Sequence, residues 1–370
     1  MSFLRWTFLN RFGLRAGWRL IVYLSVLVLI CLFVTKDPVA GGISPRMYHG
    51  QPRLLLFFGL PIIDLSRPFG FLAMFAASIY VAVLLERRPI HSLGLGLSSR
   101  WWKELLGGLA LGVALLSLIV WGLVAVGAYR FAGPQESWGE AVRWGISIGL
   151  VCLGIAFCEE YAFRGYLLQT LIQGVGFRAA AVLSSVAFMS IHIQNQGESP
   201  IGLFEVLLFA ILTLVLIVKT RSLWAAIGLH ATWDWSQNFL YNTADSGVSF
   251  PGGLLHVVSR GPDWLSGGAV GPEGSILAIL VSVAAIVYFS RASWLRPAPE
   301  ALAGWQQFVD REQSTLPIVP LQPGVTATAA LVPILFVIPS FPDYLPRYLP
   351  AVMFVMMTAA IGYKTRQSMR

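Results

Sequence analysis

Long apolar runs separated by short polar or basic segments dominate the sequence. These runs lie near residues 18–34, 69–85, 105–127, 142–173, 177–194, 201–218, 222–240, 275–290, 325–341 and 349–363. Several hold about 17–23 residues, which is enough for a helix to cross a hydrocarbon core of about 30 Å. Prolines interrupt the last two runs, which makes them poorer helices. The pattern predicts an all-α fold, a polytopic transmembrane bundle of about 8–10 membrane helices.

The composition agrees with a membrane protein. Of the 370 residues, 56% are hydrophobic and only 12% are charged, whereas a soluble chain has about 25% charged residues. The net charge of +8 is not accompanied by a basic, aromatic surface, so we expect the lipid bilayer and no nucleic acid as a partner. Cys31, Cys152 and Cys158 lie in apolar runs without a CxxC spacing, so no disulfide framework is predicted.

The distribution of basic residues predicts the orientation. Arginines precede the apolar run Leu20–Val34, which lacks a convincing cleavage site, so we interpret it as a retained first helix. With a cytoplasmic N-terminus, most of the 26 Lys and Arg residues fall in cytoplasmic segments, as the positive-inside rule requires. We therefore expect a multi-pass protein of the cell membrane.

Three connecting segments have compositions typical of loops. Residues 35–68 are rich in Pro and Gly and predict a short re-entrant or interfacial piece. Ser246–Gly274 predicts an external loop, and Pro297–Pro323 predicts a polar cytoplasmic linker. His91 and His256 lie in such connections, and we expect no function for either.

The stretch Cys158–Gly165 (CEEYAFRG) places charges directly after an uncharged apolar run. Charged side chains at such depth are costly and are retained when they are paired or functional. Glu160 and Arg164 are four residues apart, so they share one face of a helix. Glu159 is rotated by about 100° from Glu160. One ion pair therefore does not occupy both acids, and a carboxylate remains for chemistry.

Two further pairs with helical spacing follow, Phe188 with His192 (FMSIH) and His230 with Asp234 (HATWD). Gly174-Val175-Gly176 predicts a break between the helices that carry Glu159 and His192. Each of these two residues is about 16 positions from the break, roughly 24 Å along a helix. An antiparallel hairpin would bring them to one level, so we expect Glu159 and His192 within about 10 Å of each other.

The depth of His230 adds a second expectation. It lies about 8 residues, or 12 Å, into its apolar run. The depth of His230 agrees with the depth of Glu159 and His192 if the hairpin protrudes into the cytoplasm by about 10 Å. Polar residues near its tip favour such a protrusion; they are Arg164, Gln169, Gln173 and Arg178. The site would then lie within the bilayer, nearer its cytoplasmic side.

This set of residues predicts hydrolysis of an amide bond. A carboxylate and a neutral imidazole can share a water and deprotonate it as it attacks a carbonyl. A second histidine and an aspartate can donate hydrogen bonds to the oxyanion, or orient its donors. Alternatively, Glu159, His192 and His230 match a zinc ligand set with one open position. The sequence therefore leaves open whether a divalent metal such as zinc or no cofactor is used.

The three motifs together resemble the CPBP intramembrane proteases, which include the type II CAAX prenyl endopeptidases and the bacterial Abi proteins. EEYAFR (Glu159–Arg164) is similar to the family's EExxxR motif and FMSIH (Phe188–His192) to its FxxxH motif. HATWD (His230–Asp234) is similar to its final His-x-x-x-Asn/Asp motif. The resemblance implies a catalytic core over residues 85–240. Residues 1–84 would be N-terminal membrane helices and a loop, and residues 241–370 an external loop, additional helices and a linker.

The resemblance also implies a role for each residue. Glu159 and His192 would activate water, and His230, assisted by Asp234, would stabilise the oxyanion. An aspartate cannot donate an amide hydrogen bond, so Asp234, unlike the asparagine of the prenyl endopeptidases, would orient His230 instead. Glu160, Arg164 and Phe188 would support the site. The implied substrate is a membrane-anchored peptide or protein, with or without a lipid.

Two other functions are compatible with the sequence. One is a non-catalytic membrane protein of the same fold that acts in immunity or as a scaffold. The other is a proton-coupled transporter, because buried Glu, His and Arg also build ion pathways. The lack of repeated halves disfavours the transporter, and the intact motif residues disfavour the scaffold.

Overall fold

The computed structural model describes residues 9–10, 13–34, 47–48, 51–52, 54–57, 60–63, 68–133, 137–193, 195 and 197–310. The apolar runs predicted near 325–341 and 349–363 lie outside the described residues, as does most of the segment 35–68. The described parts of that segment form short antiparallel pairs, the longest of which joins Leu54–Phe57 to Leu60–Ile63.

Helices follow the predicted apolar runs closely. They are α1 (Ala16–Val34), α2 (Pro68–Ile79), α3 (Trp101–Ala125), α4 (Trp138–Glu160), α5 (Leu168–Val175), α6 (Phe177–His192), α7 (Pro200–Thr220), α8 (Trp224–Trp235), α9 (Asp263–Ser266), α10 (Ile276–Arg291) and α11 (Pro299–Trp305). Wider π-helical turns extend α2, α4, α8 and α11, over Tyr80–Leu85, Tyr161–Leu167, Ser236–Leu240 and Gln306–Asp310. Short 3₁₀ turns form at Ile90–Leu93 and Pro272–Gly274.

Strands are short and peripheral in the described residues. They are β1 (Leu9–Asn10), β2 (Gly13–Leu14), β3 (Met47–Tyr48), β4 (Gln51–Pro52), β5 (Leu54–Phe57), β6 (Leu60–Ile63), β7 (Tyr129–Gly133) and β8 (His256–Ser259). Each pairs antiparallel with one other strand, and β7 pairs with β8 through a register that shifts between Phe131 and Gly133. The fold is therefore an all-α bundle with small strand pairs at its edges, which confirms the predicted fold class.

Three of the described helical segments are long and apolar enough to cross a membrane. They are Trp101–Ala125, Trp138–Val175 and Pro200–Thr220. Apolar helices of 10–17 residues accompany them, including Phe177–His192 and Ile276–Arg291. The chain is thus a helical membrane protein, while the full number of spans stays a prediction.

Glycines let α3 and α8 approach closely. A Cβ at Gly108 would overlap the backbone carbonyl oxygen of Ala225, and one at Gly112 would overlap that of Leu229. Small residues four apart allow such close backbone packing of membrane helices. The Thr232 hydroxyl also donates to the Leu109 carbonyl oxygen at 2.7 Å. This contact fixes the position of the helix that carries His230 and Asp234.

The predicted break ends α5, and Gly176 there has a positive φ of 81°. The expectation for the polar residues near this tip is mostly wrong. Arg164, Gln169 and Gln173 are buried, and only Arg178 is exposed. Gln169, for example, accepts a hydrogen bond from the buried Arg88 at 2.8 Å. Polar side chains near the tip therefore serve packing between neighbouring segments rather than contact with solvent.

Two connecting segments are more ordered than their composition predicts. Ser246–Gly274, predicted as an external loop, contains β8, α9 and a 3₁₀ turn. The start of the predicted linker Pro297–Pro323 forms α11, which buries Trp305 and stacks it under Arg221 at 4.9 Å. The tertiary partners supply the apolar contacts that these segments lack on their own.

Several smaller predictions can be compared with the structure. His91 is exposed, as expected of a connector residue, and His256 is half-buried in β8. Cys152 and Cys158 are buried free thiols. The side chain of Cys31 is outside the described part of the chain.

Candidate active site

The carboxylates of the first motif lie at the end of α4, where the helix widens into its π-helical turn. Glu159 is 3% exposed and Glu160 is fully buried. Arg164 NH1 lies 3.3 Å from Glu160 Oε1, so the predicted ion pair forms. π-helical turns often occur at functional sites because they redirect side chains within a helix.

His230 brings the first and third motifs together. Its Nδ1 lies 3.0 Å from Glu160 Oε1, and its Nε2 lies 3.8 Å from Glu159 Oε2. The same Nε2 is 3.6 Å from Asp234 Oδ2. An ionised Glu160 can only accept a hydrogen bond, so this contact places a proton on Nδ1. His230 is therefore surrounded by three acids, two from α4 and one from its own helix.

Phe188 and His192 bring the second motif to the same place. The Arg164 guanidinium lies over the Phe188 ring at 3.9 Å, within cation–π range. The Phe188 ring is 4.8 Å from the His192 ring and 6.1 Å from the His230 ring, measured between centroids. Phe188 thus contacts the other two motifs at once.

The orientation of His192 follows from one backbone contact. Its Nδ1 lies 2.9 Å from the carbonyl oxygen of Phe188. A carbonyl oxygen only accepts, so Nδ1 carries the donated proton and Nε2 of the neutral ring keeps its lone pair. His192 is thereby held in a form that can accept a proton.

A small cavity lies beside these histidines. Its volume is about 30 Å³ for water-sized spheres, and one water needs roughly 10–15 Å³ on this measure. The lining side chains come from α6, α7, α8 and the segment after α8: Phe188, His192, Glu205, Val206, Phe209, His230, Trp233, Asp234, Asp245, Ser246 and Glu273. The cavity accommodates water, while a peptide would need it to widen.

Residues 241–275 cover one side of the cavity and are called the roof here. Hydrogen bonds to Glu273 hold the roof in place. Glu273 Oε1 accepts hydrogen bonds from the backbone N–H of Ser246 at 2.6 Å and from its hydroxyl at 3.0 Å. Glu273 Oε2 accepts from Trp233 Nε1 at 3.4 Å and from Gln237 Nε2 at 3.3 Å. The carboxylate therefore joins the roof to the helix that carries His230 and Asp234.

Asp245, a second roof acid, also contacts that helix. Its two oxygens accept from the side-chain amides of Gln237 and Asn238. Burial, followed by the neighbouring Glu273, raises the pKa of Asp245 well above its ordinary value. Glu205 lines the cavity from α7 and accepts from the Ser282 hydroxyl at 2.7 Å.

Sequence reasoning missed the roof acids and Glu205. Glu205 carried a signal that was available, since it is a single acid inside the apolar run 201–218. Asp245 and Glu273 lie in a segment rich in Gly and Pro, where an acid is ordinary. Only the folded chain places them over the histidines.

Buried polar atoms without hydrogen-bond partners occur in the first motif, on the two acids of α4 and on the Arg164 guanidinium. Among the residues that the structure describes, Glu159 Oε2 and Glu160 Oε2 are buried without a hydrogen-bond partner. Buried polar groups of this kind are rare and often have a catalytic role. The expected separation of Glu159 and His192 stays a prediction, although both lie near His230.

The alternative of a metal site can be tested on the same geometry. In the described ranges, no group of three or more His, Cys, Asp or Glu side chains is arranged to hold a metal ion. The set Glu159, His192 and His230 therefore does not fit a metal in this structure. No step of the reaction proposed below passes through one.

The fold and the site define a helical membrane protein with a buried carboxylate–histidine cluster. A family model described as type II CAAX prenyl endopeptidase Rce1-like matches residues 141–236. This segment contains all three motifs, and the match agrees with the resemblance to the CPBP proteases that they carry. It covers well under half of the chain. Neither a curated protein nor a solved structure matches.

Proposed function

We propose that the protein is an intramembrane endopeptidase that hydrolyses a peptide bond of a membrane-anchored peptide or protein. The observation that carries the proposal is the state of Glu159. Its Oε2 is buried, has no hydrogen-bond partner among the described residues and lies 3.8 Å from His230 Nε2. A carboxylate held in this way is available to accept a proton from water.

Glu159 and His192 activate the water in this proposal. The contact of His192 Nδ1 with the Phe188 carbonyl leaves Nε2 as the proton-accepting nitrogen. The water oxygen forms a bond to the carbonyl carbon of the substrate while its proton passes to the carboxylate of Glu159. That proton then moves to the leaving nitrogen as the carbon–nitrogen bond breaks, which balances the reaction.

His230 stabilises the oxyanion, with Asp234 orienting its ring. The 3.6 Å separation of His230 Nε2 and Asp234 Oδ2 supports this assignment. Donation to an oxyanion requires a proton on Nε2, in addition to the proton on Nδ1 that faces Glu160. Glu160 fixes the opposite nitrogen of the ring at 3.0 Å.

Arg164 and Phe188 hold the catalytic groups in place. Arg164 contacts both the Glu160 carboxylate and the Phe188 ring. It therefore connects the helix that carries the acids to the helix that carries His192. Residues 85–240 contain all of these contacts, in keeping with a catalytic core over that range.

The apolar exterior of the bundle sets the class of substrate. Large hydrophobic side chains are exposed along α3 and α4, such as Leu118, Trp121 and Leu150. Such a surface fits the cell membrane, where the protein would meet peptides held by an apolar or lipid anchor. Prenylated peptides belong to this class and are one set to test.

The test is cleavage of a pooled set of membrane-anchored peptides by the purified protein in detergent. Glu159→Gln and His192→Ala are compared with two matched controls, Glu140→Gln and His91→Ala, whose side chains are exposed. Loss of a general base costs about 10²–10⁴-fold in rate. We expect that loss in the two site variants, no change in the controls and no effect of a metal chelator.

Three results would contradict the proposal. Cleavage that survives Glu159→Gln would show that this carboxylate is not the base. Full complementation of a deletion strain by Glu159→Gln would favour a scaffold or immunity role. If the wild type cleaves no peptide but conducts an ion flux that Glu159→Gln abolishes, a transporter would be favoured.

A further inference from the structure

The residues that line the cavity lie toward one end of each helix that contributes to it. On α8, the lining residues Trp233 and Asp234 follow His230, and none precedes it. On α6, the lining residues Phe188 and His192 belong to the final turns. On α7, the lining residues 205, 206 and 209 belong to the first turns. All of them point to the end of the bundle that carries the roof.

The opposite side of the histidines is closed by packed backbone. The backbone N–H of Leu223 donates to the Gly94 carbonyl oxygen at 2.9 Å. A Cβ on Gly165 would lie 3.1 Å from the Leu93 carbonyl oxygen. Leu93 and Leu223 are buried. A route from this side to His230 would require separating three segments of the chain.

These two ends of the bundle differ in charge. The closed end carries most of the basic residues that the structure describes. This end is formed by the start of α1 and residues 86–103, 176–178, 219–223 and 291–300. Its basic residues are Arg15, Arg19, Arg87, Arg88, Arg100, Lys103, Arg178, Lys219, Arg221, Arg291 and Arg296.

The roofed end comprises residues 126–133, 137–143, 197–199 and 241–275. Its acids are Glu140, Glu198, Asp245, Asp263 and Glu273, and its basic residues are Arg130, Arg143 and Arg260. Adding the four basic residues of the sequence segment 35–68 to this end would leave the asymmetry in the same direction. Basic residues concentrate on the cytoplasmic side of membrane proteins.

We propose that the cavity is reached through the roof and that the roof lies on the non-cytoplasmic side of the membrane. This inference rests on the proposed function. It assigns the substrate as a membrane-anchored peptide whose scissile segment is exposed on that side. The histidines and Glu159 lie within the bundle, and the roof separates them from the non-cytoplasmic water. Substrate binding displaces the roof, because the cavity accommodates only water-sized groups.

The first test measures orientation and does not depend on activity. Ser249→Cys places a thiol on the exposed surface of the roof, and Ser99→Cys places one on the closed end. A membrane-impermeant maleimide is added to right-side-out vesicles, to inside-out vesicles and to detergent-solubilised protein. The wild type gives the background from the native cysteines, two of which are buried. The solubilised sample shows that each introduced thiol reacts.

We expect Ser249→Cys to be labelled only in right-side-out vesicles and Ser99→Cys only in inside-out vesicles. The reverse pattern would overturn the proposal, as would labelling of both thiols from one side. A second test adds the pooled peptides to each kind of vesicle. Cleavage confined to inside-out vesicles would also overturn it.

Failure of the proposed function gives a different pattern. In that case Ser249→Cys is still labelled from outside, while the solubilised wild type cleaves no peptide or Glu159→Gln cleaves like the wild type. Orientation and catalysis are therefore judged by separate measurements.

Discussion

The acids on the two sides of the cavity use their carboxylates in opposite ways. On the side of the histidines, here called the histidine wall, Glu159 and Glu160 contact His230. Their Oε2 atoms are buried without hydrogen-bond partners among the described residues. On the roof wall, Glu273 accepts four hydrogen bonds from uncharged donors. Both walls are buried, so the difference is one of hydrogen bonding rather than of access to water.

This difference separates a site built for chemistry from one built for stability. An unsatisfied buried carboxylate weakens the fold and remains only where another use offsets its cost. A carboxylate that receives several hydrogen bonds rigidifies its surroundings and has little capacity left for a reacting proton. Substitutions on the histidine wall should therefore affect rate more than stability, and substitutions on the roof should do the reverse.

After Glu159→Gln and His192→Ala, the largest expected effect comes from His230→Gln on the histidine wall. Removal of one oxyanion donor costs about 10²–10³-fold in kcat, while the thermal unfolding midpoint in detergent should change little. The measurement pairs cleavage kinetics with unfolding of the same sample. His91→Ala, at an exposed histidine, is the control and should match the wild type in both. A midpoint that falls in proportion to the rate would show that the two walls do not differ.

A smaller effect in the opposite direction is expected of Glu273→Ala on the roof. The change leaves the donors of Trp233, Gln237 and Ser246 without their acceptor. A buried donor left unsatisfied costs about 1–3 kcal/mol. We expect a clear loss of unfolding free energy, and a rise in KM that exceeds any fall in kcat. Glu140→Ala, at an exposed acid of the same end, should be neutral. An unchanged unfolding transition would show that Glu273 does not stabilise the roof.

The smallest effect is a pH dependence at the edge of the roof. Burial raises the pKa of Glu198 from 4.5 to about 7. The folded state therefore binds a proton more tightly than the unfolded state does, and stability falls as pH rises through this window. Thermal unfolding from pH 5 to pH 8 should show a decline that is shallower in Glu198→Gln. Equal slopes for the variant and the wild type would assign the decline to other groups, such as Asp245.

The helices were largely predictable because the length and hydrophobicity of each apolar run are enough to predict a helix buried in lipid. The observed α3, α6 and α7 and the continuous helical segment Trp138–Val175 lie within a few residues of the predicted runs. The pairs Glu160–Arg164 and His230–Asp234 were also predictable, since a spacing of four residues fixes their geometry. Whether Glu159 and His192 meet as closely as expected remains a prediction.

The contacts of His230 with the α4 acids were not predictable in the same way. The sequence places His230 and Glu160 on different helices. Neither motif predicts that His230 Nδ1 lies 3.0 Å from Glu160 Oε1. Packing decides this, because the close approach of α3 and α8 at Gly108 and Gly112 fixes the level of His230. The burial of Gln169 was mispredicted for the same reason, since its partner Arg88 comes from a distant segment.

The sequence by itself determined a helical membrane protein whose three motifs resemble those of the CPBP family, because hydrophobic length and local spacing are properties of single segments. Only the tertiary structure decided which groups share the cavity. The roof acids Asp245 and Glu273 belong to a segment with no periodicity, and they reach the histidines through contacts between residues far apart in the chain. Such contacts depend on how whole helices pack, which no local pattern specifies.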